Sequence, residues 1–88
     1  MIRRQVRIHG RVQGVFFRDA CQTEANRAGV VGWVRNAPDG TVEAVFEGEP
    51  GAVQAMCNWC RSGPEQADVE HIEVTEEEPQ GDSSFDVR

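Results

Sequence analysis

Eighty-eight residues fit one domain spanning positions 1–88, with a core thin enough to keep stability modest. No run of 18 apolar residues occurs and no apolar segment follows Met1-Ile2-Arg3-Arg4, so neither a membrane-spanning helix nor a secretory signal is expected, and the default location is the cytoplasm. The net charge of −6 argues against a nucleic-acid partner, whose backbone needs a basic face.

That charge is unevenly spread. Residues 1–40 carry seven arginines and three acidic residues, whereas residues 41–88 carry two arginines and twelve acidic residues. The N-terminal part therefore suits a small anion. Ile2 to His9 alternates, with Ile2, Val6 and Ile8 opposite Arg3, Gln5, Arg7 and His9, the pattern of a strand with one wet face. Phe17, Ala20, Cys21, Ala25 and Ala28 recur at helical spacing, and Gly29 suits the C-terminal end, so a helix is expected over 17–28. Val30 to Arg35 is β-branched and aromatic, a second strand. Ala37-Pro38-Asp39-Gly40 is a turn, and Val42, Ala44 and Phe46 alternate in a third strand that forms a hairpin with the second. A second helix is bounded by Pro50 and Gly63-Pro64, with Val53, Met56, Cys57 and Cys60 on one stripe. Val69 to Thr75 reads as a fourth strand, Glu76 to Ser84 as an acidic surface loop, and Phe85 to Val87 as an optional fifth strand. The order predicts an α+β, ferredoxin-like βαββαβ sandwich: a four-stranded antiparallel sheet with both helices on one face, plus the short C-terminal strand.

Residues 10–18 read Gly-Arg-Val-Gln-Gly-Val-Phe-Phe-Arg, between the first strand and the first helix. Two glycines allow positive φ, so successive amides can turn into one concavity. The helix N-terminus adds free N–H groups and a positive dipole end. Arg18 supplies a planar, permanently charged fork for phosphate oxygens. The motif reads as an oxyanion cradle with one guanidinium as its lid.

A second run, Gly32-Trp33-Val34-Arg35-Asn36 followed by Asp39-Gly40-Thr41-Val42 and Gly48, stands 14 residues behind the first. Together the two runs resemble the paired signatures of acylphosphatases, in the same order and spacing and over nearly the whole chain. The resemblance implies the ferredoxin-like fold. It also implies metal-independent hydrolysis of the carboxyl–phosphate bond of a small-molecule acyl phosphate, releasing inorganic phosphate, without a cofactor. On this resemblance the catalytic residues are Arg18 and Asn36. The backbone amides of Gln13, Gly14, Val15, Phe16, Phe17 and Arg18 hold the phosphoryl group, and the Asn36 side chain orients the attacking water. No metal ligand is implied. A monomer that binds neither nucleic acid nor a membrane is expected.

Two features depart from the family pattern. The chain stops at Phe85-Asp86-Val87-Arg88 without a terminal aromatic, which weakens the expected last strand. Ala37 stands where some relatives carry a hydroxyl, so Asn36 is expected to be held less firmly and turnover to be lower.

Other patterns point elsewhere and are weaker. Cys21 and Arg27 have the spacing of a cysteine-dependent phosphatase, but the stretch between them is helical rather than a glycine-bearing loop. Cys57-Asn58-Trp59-Cys60 matches a redox motif, yet both thiols fall on the apolar stripe. A disulfide from Cys21 to Cys57 or Cys60 is sterically open because both helices share a face; with three cysteines, a reducing compartment fits better. His9 and His71 are single strand residues, and no further cysteine or histidine pair completes a zinc site. The alternative function is a non-catalytic or accessory acylphosphatase-like binding module, as at the front of carbamoyl-transferring hydrogenase-maturation proteins; the length, with no following domain, argues against it. A ferredoxin-like nucleic-acid or regulatory domain would need exposed aromatics with basic flanks, whereas the third strand presents Glu43 and Glu47.

Overall fold

A computed structural model describes all 88 residues. The elements are β1 (Ile2–Arg11), α1 (Phe17–Ala28), β2 (Val31–Asn36), β3 (Val42–Gly48), α2 (Pro50–Cys60), β4 (Asp68–Glu77) and β5 (Phe85–Val87). The sheet order is β4-β1-β3-β2-β5, antiparallel except where β5 pairs parallel with β2. The ferredoxin-like α+β arrangement is therefore present, and the optional fifth strand makes the sheet mixed. No helix is long and apolar enough to cross a membrane.

Both helices cover one face. Val6, Ile8, Val34, Val42, Ala44 and Phe46 from the sheet meet Phe17, Cys21 and Ala25 of α1 and Val53, Met56, Cys57 and Cys60 of α2 in one apolar cluster. Those residues recur at four and eight positions in α1 and at three, four and seven in α2, which keeps them on one stripe of each helix. Pro50 opens α2 at a position where its missing N–H costs nothing. Phe85 closes the core at the β5 edge, stacked on Phe46 at 5.7 Å between ring centroids, and its carbonyl accepts a bond from Gln22 of α1. The last strand forms despite the missing terminal aromatic.

The second face differs from expectation. β3 is buried over its whole length, so Glu43 and Glu47 do not face water. Arginines from the flanking strands and the segment after β4 cover them. Glu43 accepts from Gln5 at 2.7 Å, Arg7 at 3.1 Å and Arg35 at 2.7 Å. Glu47 accepts the backbone N–H groups of Gln80 at 2.7 Å and Gly81 at 2.8 Å, and the Arg3 guanidinium at 3.1 Å. Arg3 also binds Glu77 and Asp82. A buried carboxylate is tolerable when its oxygens are filled with donors. The supposed wet face of β3 is thus a polar roof, and the segment 80–82 folds over it.

The Gln80 amide, with Gly81 and Arg3, holds the Glu47 carboxyl below the ordinary glutamate range, against the opposing effect of its burial. A lowered folded-state value contributes stability that is present above the unfolded value, roughly pH 4.3, and is lost as pH falls through the folded one. Glu47→Gln should cost about 1–3 kcal/mol at pH 7, because the neutral amide leaves Arg3 less compensated. The variant's melting temperature should also fall less than that of the parent between pH 5 and pH 2. Parallel pH curves for the two proteins would contradict the ionic roof.

Candidate active site

The β1–α1 connection is shaped by two buried side chains. Val12 and Val15 are 1% and 2% exposed, so both point into the core. The backbone between and after them must turn back on itself. Gly14 takes φ 75° and Phe16 takes φ 64°, both left-handed. Gly14 does this without strain; Phe16 pays about 1–2 kcal/mol for it. Alternating handedness aims neighbouring N–H groups into one hollow. Phe16 also stands at the N-cap of α1, where no side chain caps the helix. The amides of residues 13–16 donate to no backbone or side-chain acceptor. Those of residues 17–19 belong to the first helical turn and have no intrahelical partner. Seven consecutive N–H groups, from Gln13 to Asp19, therefore have no acceptor within the protein.

Gly10 has a different task from the one its motif suggests. It lies within β1, at a register shift against β4 between His9 and Gly10. A Cβ there would sit 2.2 Å from the Asp68 carbonyl oxygen. It admits the neighbouring strand and takes no part in the loop.

Asn36 ends β2, paired with Val42 across the hairpin. The turn behind it is closed by Ala37 N–H donating to Thr41 O at 2.8 Å and by Asp39, which accepts from the Thr41 hydroxyl at 2.6 Å and its amide at 3.0 Å. Those two bonds, with Arg7 nearby, hold the Asp39 carboxyl below its ordinary range. The hairpin end is then fastened to the loop by one side chain. The Gln13 carboxamide donates to Ala37 O at 2.8 Å and to Thr41 O at 2.9 Å. This clamp went unread in the sequence, where Gln13 was expected to offer its backbone alone; a side chain reaching 24 and 28 residues ahead leaves no local pattern.

Val12, Gly14, Phe16, Phe17, Arg18, Asp19 and Asn36 line one cavity of about 290 Å³. Four of the six loop residues read from sequence are in its wall; Gln13 and Val15 are not. Arg18 and Asn36 are half-buried, and neither side chain bonds to another protein group. Ala37 is buried and its carbonyl is held by Gln13, so the Asn36 backbone is fixed although no hydroxyl steadies its side chain. Asp19 was not anticipated. An acid in the first turn favours the helix dipole, and here it also lines the cavity. It is the one carboxylate in the cavity wall.

The competing motifs dissolve. Cys21, Cys57 and Cys60 are free and buried. Cys21 and Cys60 meet across the helix interface, and their mutual hydrogen bond together with burial pushes the Cys60 thiol well above its ordinary range. Burial pushes Cys57 up as well. Such thiols are poor nucleophiles. Arg27 pairs with Glu24 on the solvent side of α1. His9 and His71, far apart in sequence, come together outside the cavity.

The acylphosphatase family model matches residues 4–87. An acylphosphatase of Rubrobacter xylanophilus is 58% identical over 85 residues, which is 96% of this chain and 77% of that protein. The crystal structure of acylphosphatase from Bacillus subtilis superposes with a TM-score of 0.96 at 36% identity, covering 100% of this chain and 99% of that one. HypF of T. kodakarensis also contains the fold, with a TM-score of 0.86 at 30% identity; the match covers 100% of this chain and 12% of HypF. The left-handed loop, its free amides and the match across residues 4–87 agree: the chain belongs to the acylphosphatase family, hydrolases that act on acid anhydrides.

Proposed function

We propose that the cavity hydrolyses small acyl phosphates, with residues 13–18 and Arg18 binding the phosphoryl group and Asn36 orienting the water. The observation that carries the reading is the convergence of unpartnered N–H groups, an unpaired guanidinium and an unpaired carboxamide on one hollow. The substrate is a mixed anhydride, and its leaving carboxylate has a conjugate acid with a pKa of about 4. The bond from phosphorus to that oxygen therefore breaks without a strong general acid. Catalysis then needs charge compensation on the three phosphoryl oxygens and a water in line. The loop amides and Arg18 compensate the charge. The Asn36 carboxamide accepts from the water and fixes its direction. Asparagine cannot take the proton, so it passes to a phosphoryl oxygen, and the products are a carboxylate and inorganic phosphate. The 58% identity to an acylphosphatase, against 30% to HypF, favours this over an accessory binding module.

Arg18 touches phosphoryl oxygens in ground and transition states, whereas Asn36 touches mainly the water. Contacts made in both states set KM, and those made in the transition state alone set kcat. Arg18→Gln should abolish both phosphate binding and hydrolysis of benzoyl phosphate, and Arg18→Lys should not restore them. Asn36→Ala should bind phosphate with nearly parental affinity yet lose about 10²–10³ in kcat. An Asn36→Ala enzyme with most of its turnover would overturn the assignment. Asp19→Asn should tighten phosphate binding roughly 1.4- to fivefold, since an exposed charge pair contributes about 0.2–1 kcal/mol; unchanged or weaker binding would show that Asp19 faces away from the anion. Hydrolysis should proceed undiminished in excess EDTA, and a loss restored by a divalent ion would exclude the metal-free chemistry.

A further inference from the structure

The edge of the sheet away from the cavity's hairpin carries a second cluster. The antiparallel register of β1 and β4 sets His9 directly opposite His71. Glu73 lies two residues along β4, hence on the same face. The two imidazoles stack with centroids 4.1 Å apart and planes 11° from parallel. The Glu73 carboxylate comes within 3.3 Å of His9 Nε2 and 4.0 Å of His71 Nε2. The three ligand-type atoms all lie within 4.8 Å of one another. His9 Nε2 is buried and makes no hydrogen bond, because its approach to Glu73 has the distance but not the direction of one. A buried nitrogen with no partner is uncommon and calls for an explanation.

From this we infer that His9, His71 and Glu73 form a binding site for a divalent transition-metal ion of the zinc class. Two imidazole nitrogens and one carboxylate are a donor set that such ions accept, leaving a fourth position to water. Ligands at about 2.0–2.1 Å around a tetrahedral ion stand about 3.3 Å apart. The present separations exceed that by up to about 1.5 Å, within reach of side-chain rotation about χ1 and χ2. The rings must lose their parallel stacking so that both lone pairs converge. His71 and Glu73 are exposed and free to do so, while His9 is half-buried and supplies the fixed point. The neighbouring cation on this face, Arg7, is already bound by Glu43, Asp39 and Thr41, so its charge is compensated. Bridging β1 and β4 through an ion would staple the edge strand to the sheet. The site shares no residue with the cavity, so its occupancy is separate from hydrolysis.

Zinc chloride titrated into tag-free protein tests this, followed by calorimetry and by the imidazole Hε1 resonances. The chain has two histidines, so single variants assign both signals. Both resonances should shift or broaden together and saturate at one equivalent, and magnesium at the same concentration should move neither. His71→Asn, at an exposed position where folding is not at stake, should weaken zinc binding by at least about tenfold through the loss of one of three ligands. Glu73→Gln should weaken it as well. Both variants should keep parental hydrolysis of benzoyl phosphate. The inference is overturned if the resonances stay fixed at millimolar zinc, if one histidine alone responds, or if His71→Asn still binds one equivalent with parental affinity.

Discussion

The Gln13 carboxamide joins the two halves of the site. Its two donor hydrogens are spent on the carbonyls of Ala37 and Thr41, which flank the hairpin turn. Each such bond contributes only about 1 kcal/mol to stability. Its larger effect is geometric. It sets the distance from the β1–α1 loop to the end of β2, and so the position of Asn36 across the cavity from that loop. Val12 and Val15 complete the constraint by anchoring the loop to the core on either side of the glutamine. In a catalytic cavity a misplacement of about 1 Å can cost about 100-fold in rate. A clamp at this point therefore matters more than its energy suggests.

Beneath the site, the sheet is sealed by two unlike layers. The helices cover one face with apolar side chains, which is the expected use of the hydrophobic effect. On the other face, carboxylates and guanidiniums cross-link strands β1, β2 and β3, with the segment after β4 folded over them. A charged layer of this kind adds little net stability over an apolar one of the same shape, but it punishes misregister. Shifting β3 by one residue would turn Glu43 and Glu47 into the helical core. The network thus specifies which pairing of β1 with β3 survives, and with it the placement of the loop that follows β1.

Most of the fold was legible because each element carried its own period and punctuation. Helical spacing from Phe17, alternation from Val42 and the Pro50 start all matched, and Arg18 and Asn36, singled out on the two family-like runs, stand in the wall of one cavity. What stayed hidden depends on partners distant in sequence. The Gln13 clamp, the buried state of Glu43 and Glu47, and the meeting of His9 with His71 all follow from strand order and register. A list of residues contains no register until the strands are aligned. Gly10 was misplaced for the same reason, since the strand it accommodates is nearly 60 residues away. Asp19 was overlooked because an acid in a first helical turn already has an ordinary explanation.

The position of β4 has a colloidal consequence. It is an edge strand with one side of its backbone unpaired, the kind of surface on which another chain can add. Asp68, Glu70, Glu73, Glu76 and Glu77 give five of its ten residues a negative charge. Two copies approaching edge to edge would bring like charges within a few ångströms, and their mutual repulsion opposes such pairing. The acidity of β4 thus opposes edge-to-edge association, while Glu43, Glu47 and Asp82 serve the polar roof. Were those acidic side chains replaced by neutral ones, the same edge would be the place where intermolecular sheet growth begins.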